Sequence, residues 1–105
     1  NIVESLVDAT EWQKMLIGYS LHSRLLMNDR SVDTMIERYL SKSVDDVHNT
    51  DKRALSAIAF FLKQVARRES YLDRVKSIVA QLKASESIQA KWVAEEVNTY
   101  IEYSL

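Results

Sequence analysis

At 105 residues the chain has the length of one domain, enough to bury about two thirds of its unfolded surface in a core without covalent staples. A composition of 47% hydrophobic and 28% charged residues excludes a disordered chain, the lack of proline and the single glycine argue against a sheet with tight turns, and the lack of cysteine excludes disulfides, thiolate nucleophiles and Cys-ligated metals. The net charge of −1 hides an uneven pattern: residues 1–50 carry five basic and eight acidic side chains, 51–83 carry eight and three, and 84–105 carry one and four.

The first helical spacing, Ile2, Val3, Leu6 and Val7, predicts a short helix over 2–8. A second helix is expected over 11–28, opened by Thr10 and Gln13 as a capping box, with Trp12, Met15, Leu16 and Tyr19 in one inward stripe that Leu21, Leu25 and Leu26 extend. Gly18 lies inside it at a cost of about 1 kcal/mol relative to alanine, which points to close approach of another helix. Asn28, Asp29 and Arg30 interrupt the pattern. Ser31 is then the expected cap of a third helix over 32–42, with Val32, Ile36, Tyr39 and Leu40 inward, and Ser43 and Asp46 are placed to open a further short turn over 44–48.

Asn49, Thr50 and Asp51 start a fourth helix, expected over 51–68. Its apolar residues at 54, 55, 57–62, 65 and 66 cover more than one face, and a helix apolar nearly all round is a buried one. Ser70 and Asp73 resemble the start of a fifth helix over 71–84, with a seam of Leu72, Val75, Val79 and Leu82 widened by Ile78. Ser85 or Ser87 is the expected cap of a sixth over 86–103, with Ile88, Trp92, Val93, Val97, Tyr100 and Ile101 facing inward.

The expected fold is therefore all-α: a single helical domain over 1–105, a compact bundle of five or six antiparallel helices around the one near 51–68. A short α-solenoid of helical hairpins is the alternative, less favoured because no residue pattern recurs at a fixed period. A start at Asn1 rather than methionine reads as a piece excised from a longer chain. The longest apolar run, Ala57 to Leu62, is far too short to span a membrane, so the chain is expected to be soluble and intracellular, in an unspecified compartment.

Candidate chemistry is sparse. His22 and His48 are the only histidine bases on offer, and such histidines are more often surface or satisfied ones. No glycine-rich phosphate loop or G-x-S-x-G elbow is present. The pairs Asp45–Asp46 and Glu95–Glu96 point about 100° apart on a helix and share no proton. Asp45 and His48 stand one turn apart with Asp51 following, but the second histidine-bearing pair of a di-iron bundle is missing. No catalytic residue, metal ligand or cofactor is assigned.

The basic middle carries the remaining expectations, and its plainest reading is electrostatic matching between packed helices. The favoured function is a non-catalytic protein–protein interaction or adaptor module, binding another protein or its own copy as a homodimer through helices near 51–84. Lys63, Arg67, Arg68, Tyr71 and Arg74 are the expected contact residues. The first alternative is a nucleic-acid-binding module, in which Lys52, Arg53, Lys63, Arg67, Arg68 and Lys76 displace counterions from phosphates and Tyr71 adds stacking. Glu69 and Asp73 dilute that patch, and a pI near 6.1 is low for such a domain. The second alternative is an enzyme or metal protein with no recognisable motif.

Overall fold

Side-chain caps set the starts of three elements. In the computed structural model, which describes residues 1–105, the chain forms α1 (Ile2–Leu6), α2 (Trp12–Met27), α3 (Asp33–Asn49), a 3-10 turn (Lys52–Ala54), α4 (Leu55–Ala66), α5 (Glu69–Ala84) and α6 (Ile88–Ser104). Asn1 caps α1 by accepting the Glu4 N–H at 2.9 Å, and Ser87 caps α6 by accepting the Ala90 N–H at 3.2 Å. Asp51 accepts the Arg53 N–H at 2.9 Å, which tightens the expected start of the fourth helix into the 3-10 turn.

Four local expectations are corrected. The Thr10–Gln13 capping box does not form, because α2 starts behind an extended Glu11 that makes no side-chain cap. Val32, not Ser31, holds the capping position of α3, since the Ser31 hydroxyl is drawn to His22 at 2.6 Å. Ser43 opens no new turn; its hydroxyl donates to the Leu40 carbonyl at 2.7 Å and α3 runs unbroken to Asn49. Ser70 lies in the first turn of α5 rather than before it.

The turn after α2 shows how a chain nearly without glycine reverses. The Arg30 N–H donates to the Leu25 carbonyl and the Asp29 N–H to the Leu26 carbonyl, the two bonds of a Schellman motif. Asp29 takes the left-handed position at φ 55°, where a short polar side chain is tolerated best after glycine.

Helices α2, α4 and α6 run in the same direction. Trp12 meets Arg53, Tyr19 meets Phe61 and Asp29 meets Arg68, which sets α2 beside α4 in the same direction. Lys63 meets Glu96 while Leu55 and Ser56 share a groove with Ile88 and Trp92, so α4 and α6 are also parallel. The bundle is centred on α4, which touches α2, α3, α5 and α6. Its Ile58, Phe61, Leu62 and Val65 have no exposed surface, and each such buried apolar side chain contributes about 1.5–3 kcal/mol.

Gly18 has the expected reason. A Cβ there would stand 2.9 Å from the Tyr39 hydroxyl and 3.3 Å from Leu6 Cβ, so α1 and α3 both approach α2 at this point. On α6 the inward line is Ala90, Val93, Ala94 and Val97, whose small side chains allow close packing. Ile88 and Trp92, expected inward, instead lie 84% and 40% exposed.

Candidate interaction surface

The buried polar groups join the helices through a connected set of contacts. Tyr19, His22, Tyr39 and Phe61 form an aromatic cluster with ring centres 4.7–5.8 Å apart, joining α2, α3 and α4. Tyr19 donates to Asp46 at 2.8 Å, Tyr39 donates to the Val3 carbonyl at 2.6 Å, and Lys42 lies 3.7 Å from Asp46 while donating to the Ala9 carbonyl. Burial raises the Asp46 carboxyl above its ordinary range, opposed by the Tyr19 hydrogen bond and the Lys42 charge. Burial likewise lifts Tyr39 to about 12, and with the Arg68 charge lowers His22 to about 4, so the imidazole is neutral at pH 7. His22 is fully enclosed and its Nδ1 has no hydrogen-bond partner.

The cations singled out in the sequence are dispersed among several neighbours. Lys63 turns to α6, 3.7 Å from Glu96 and 6.0 Å from the centre of the Tyr100 ring. Arg68 lies 3.5 Å from Asp29, and with Arg67 it lines a depression against Leu26 and Met27. Arg74 reaches Glu37 of α3 at 2.7 Å, and Tyr71, half-buried, stands near Asp33 and Glu37. Arg53 grips Asp51 through its side chain, which with the backbone bond brings that carboxyl down to about 2, and lies 4.1 Å above the Trp12 ring. Lys76 is exposed on α5, and Lys52 lines the groove between α4 and α6. Arg67 and Arg68 are therefore adjacent, as are Tyr71 and Arg74, but the two pairs and Lys63 face different helices.

The most apolar concavity is one that sequence reasoning missed. Because α4 and α6 run parallel, their first turns lie side by side and enclose a groove of about 440 Å³ lined by Lys52, Leu55, Ser56, Ile88, Gln89 and Trp92. Gln89 is fastened below it, its amide donating to the Val47 carbonyl at 2.9 Å. Phe60, 43% exposed, lies one turn beyond Ser56 on the same outward stripe of α4. A signal for this groove was present in α6. Residues 90, 93, 94, 97 and 101 form one complete inward stripe, which leaves 88 and 92 on another face.

No group of three or more His, Asp or Glu side chains is placed to hold a metal ion, and no helix is long and apolar enough to cross a membrane. Compared with protein-family models, curated proteins and solved structures, the chain has no match.

Proposed function

We propose that this domain is a non-catalytic protein-interaction module whose partner lies along the groove between α4 and α6. The observation that carries this is the pairing of Ile88 and Trp92, two large apolar side chains left exposed on the wall of a formed concavity, with Phe60 exposed one turn beyond Ser56. Scattered exposed apolar residues are ordinary; a cluster that includes tryptophan in a groove is the composition of a binding centre. The surface keeps α4 from the sequence expectation and replaces α5 with α6. The dispersal of Lys63, Arg68 and Arg74 into intramolecular ion pairs favours this reading over phosphate binding, which draws on free cations.

Affinity capture from extracts of the source cell tests it, using the unaltered chain, Ile88→Asp and Lys76→Glu. The expected result is a partner held by the unaltered chain and by Lys76→Glu and lost from Ile88→Asp. A partner still held by Ile88→Asp overturns the assignment of this groove.

A further inference from the structure

We infer that the depression between the end of α2 and the junction of α4 with α5 binds a small organic phosphate monoester, at a site separate from the α4–α6 groove. The depression holds about 360 Å³, within the range of small-ligand sites. Leu26, Met27 and Asp29 line it from the α2 side, and Gln64, Arg67 and Arg68 from the α4 side. The three α4-side residues meet because they stand at i, i+3 and i+4 where α4 ends. Directly behind Arg68, the sixteen-residue α5 begins with no side-chain cap.

Gln64 carries the argument. It is 8% exposed, yet its amide makes no hydrogen bond within the chain, and it lines the depression. A buried amide ordinarily has a partner. Arg68 Nη2 is also enclosed and without a hydrogen bond. The Asp29 carboxylate stands 3.5 Å from it without forming one, and that side chain is 93% exposed. Arg67 takes part in no ion pair.

Two guanidinium groups and an amide thus gather donors at one point. Three terminal oxygens of a phosphate monoester match such a set, and Leu26 and Met27 give its carbon body an apolar wall. Asp29 in the lining and Glu69 beside it bring the local charge close to neutral. Affinity therefore rests on directed hydrogen bonds and apolar contact, and lies in the millimolar range, about 1 mM. A nucleic-acid backbone, which draws on a row of free cations, is a different ligand from one phosphate held at one point.

Titration of the purified chain with phenyl phosphate, inorganic phosphate and benzoate tests this at constant ionic strength, read from amide NMR spectra. Phenyl phosphate should shift the Gln64 side-chain amide and the backbone amides of 26–29 and 64–70, and should bind several-fold more tightly than either other anion. Gln64→Leu and Arg67→Gln should each weaken binding several-fold, while Lys76→Gln, which removes a cation elsewhere on α5, should not. Asp29→Asn should tighten binding, because it removes the competing carboxylate and asparagine tolerates the left-handed position. Spectra of the unbound variants report that each is folded.

No saturation by about 20 mM phenyl phosphate overturns the site. So do shifts spread over all the exposed cations, or affinity indifferent to Gln64→Leu and Arg67→Gln. Benzoate binding as tightly as phenyl phosphate overturns the choice of phosphate, and inorganic phosphate doing so overturns the organic ligand. An Asp29→Asn chain that binds no more tightly contradicts the assigned competition and with it the role of Arg68.

Discussion

Gly18→Ala sets two effects of similar size against each other. Alanine in a helix interior gains about 1 kcal/mol over glycine from propensity alone. Here the new methyl meets the Tyr39 hydroxyl at 2.9 Å, and that hydroxyl has nowhere to go. It donates to the Val3 carbonyl at 2.6 Å, and its ring is wedged against Tyr19, His22 and Phe61. Overpacking of this kind costs about 1–3 kcal/mol, and losing the hydrogen bond costs about 1 kcal/mol more. The second neighbour, Leu6 at 3.3 Å, gives more readily because α1 is a short helix at the edge. The net expectation is a loss of about 1–3 kcal/mol. Tyr39→Phe removes the clashing oxygen, so in the Gly18→Ala background it should cost at least about 1 kcal/mol less than it does alone. Urea unfolding of the four chains of this double-mutant cycle, at constant m value, measures both quantities. A stabilised Gly18→Ala, or two changes that add within about 0.5 kcal/mol, would refute the close-contact account.

Three further outcomes follow from the same packing. The His22 imidazole sits near 4 in the fold against an ordinary 6.5, so between those values the unfolded chain binds more protons; stability present above pH 6.5 should fall by up to about 3 kcal/mol as the pH drops to 4. Asp46, shifted upward, opposes part of that loss, and unfolding at pH 7 and pH 5 with His22→Gln as control should show a shallower fall in the variant; equal slopes would point to other groups. Adjacent phenylalanines should behave oppositely: Phe61→Ala should cost about 3–5 kcal/mol and Phe60→Ala under about 1, and a similar Tm loss for both would contradict the assigned register of α4. Ser87→Ala should remove about 1 kcal/mol through the lost α6 cap, read by urea unfolding, and no change would mean that the Ser85 hydroxyl, bonded to the Ser87 N–H, suffices.

The class of fold and its central element were legible because they depend on periodicity. Helix α4 is apolar at too many positions for a single stripe, and burial on several sides is the one arrangement that satisfies it. Gly18 was legible for a related reason, since a costly residue inside a strong helix implies a contact that needs the space. Boundaries were less so, because a serine hydroxyl has several acceptors and donors to choose among. Ser87 caps its helix, whereas Ser31 bonds to His22 and Ser43 bonds back to Leu40. The groove was the least legible. Ile88 and Trp92 are hydrophobic, and sequence alone weighs a hydrophobic residue as inward until a competing stripe is counted.

The alternation of charge along the chain acquires a topological cause once α4 is central. A basic segment placed between α2 and α3 on one side and α6 on the other finds the acidic ends of the sequence as its spatial neighbours. Arg68 meets Asp29, Arg74 meets Glu37, and Lys63 meets Glu96. Exposed or half-exposed pairs of this kind contribute only about 0–1 kcal/mol each, so their effect lies less in stability than in disfavouring wrong helix neighbours. The same matching decides where charge is left over. With those three cations and Arg53 paired within the chain, Lys52, Arg67, Lys76 and Lys83 remain outside the ion pairs, and Lys52 stands where parallel α4 and α6 open their apolar groove. Internal pairing thus takes up half of the eight cations in 51–83, and of those left Lys52 flanks the exposed Ile88 and Trp92. Reversing that lysine should alter partner choice with little effect on the fold, whereas reversing Arg74 or Lys63 should act on helix matching instead.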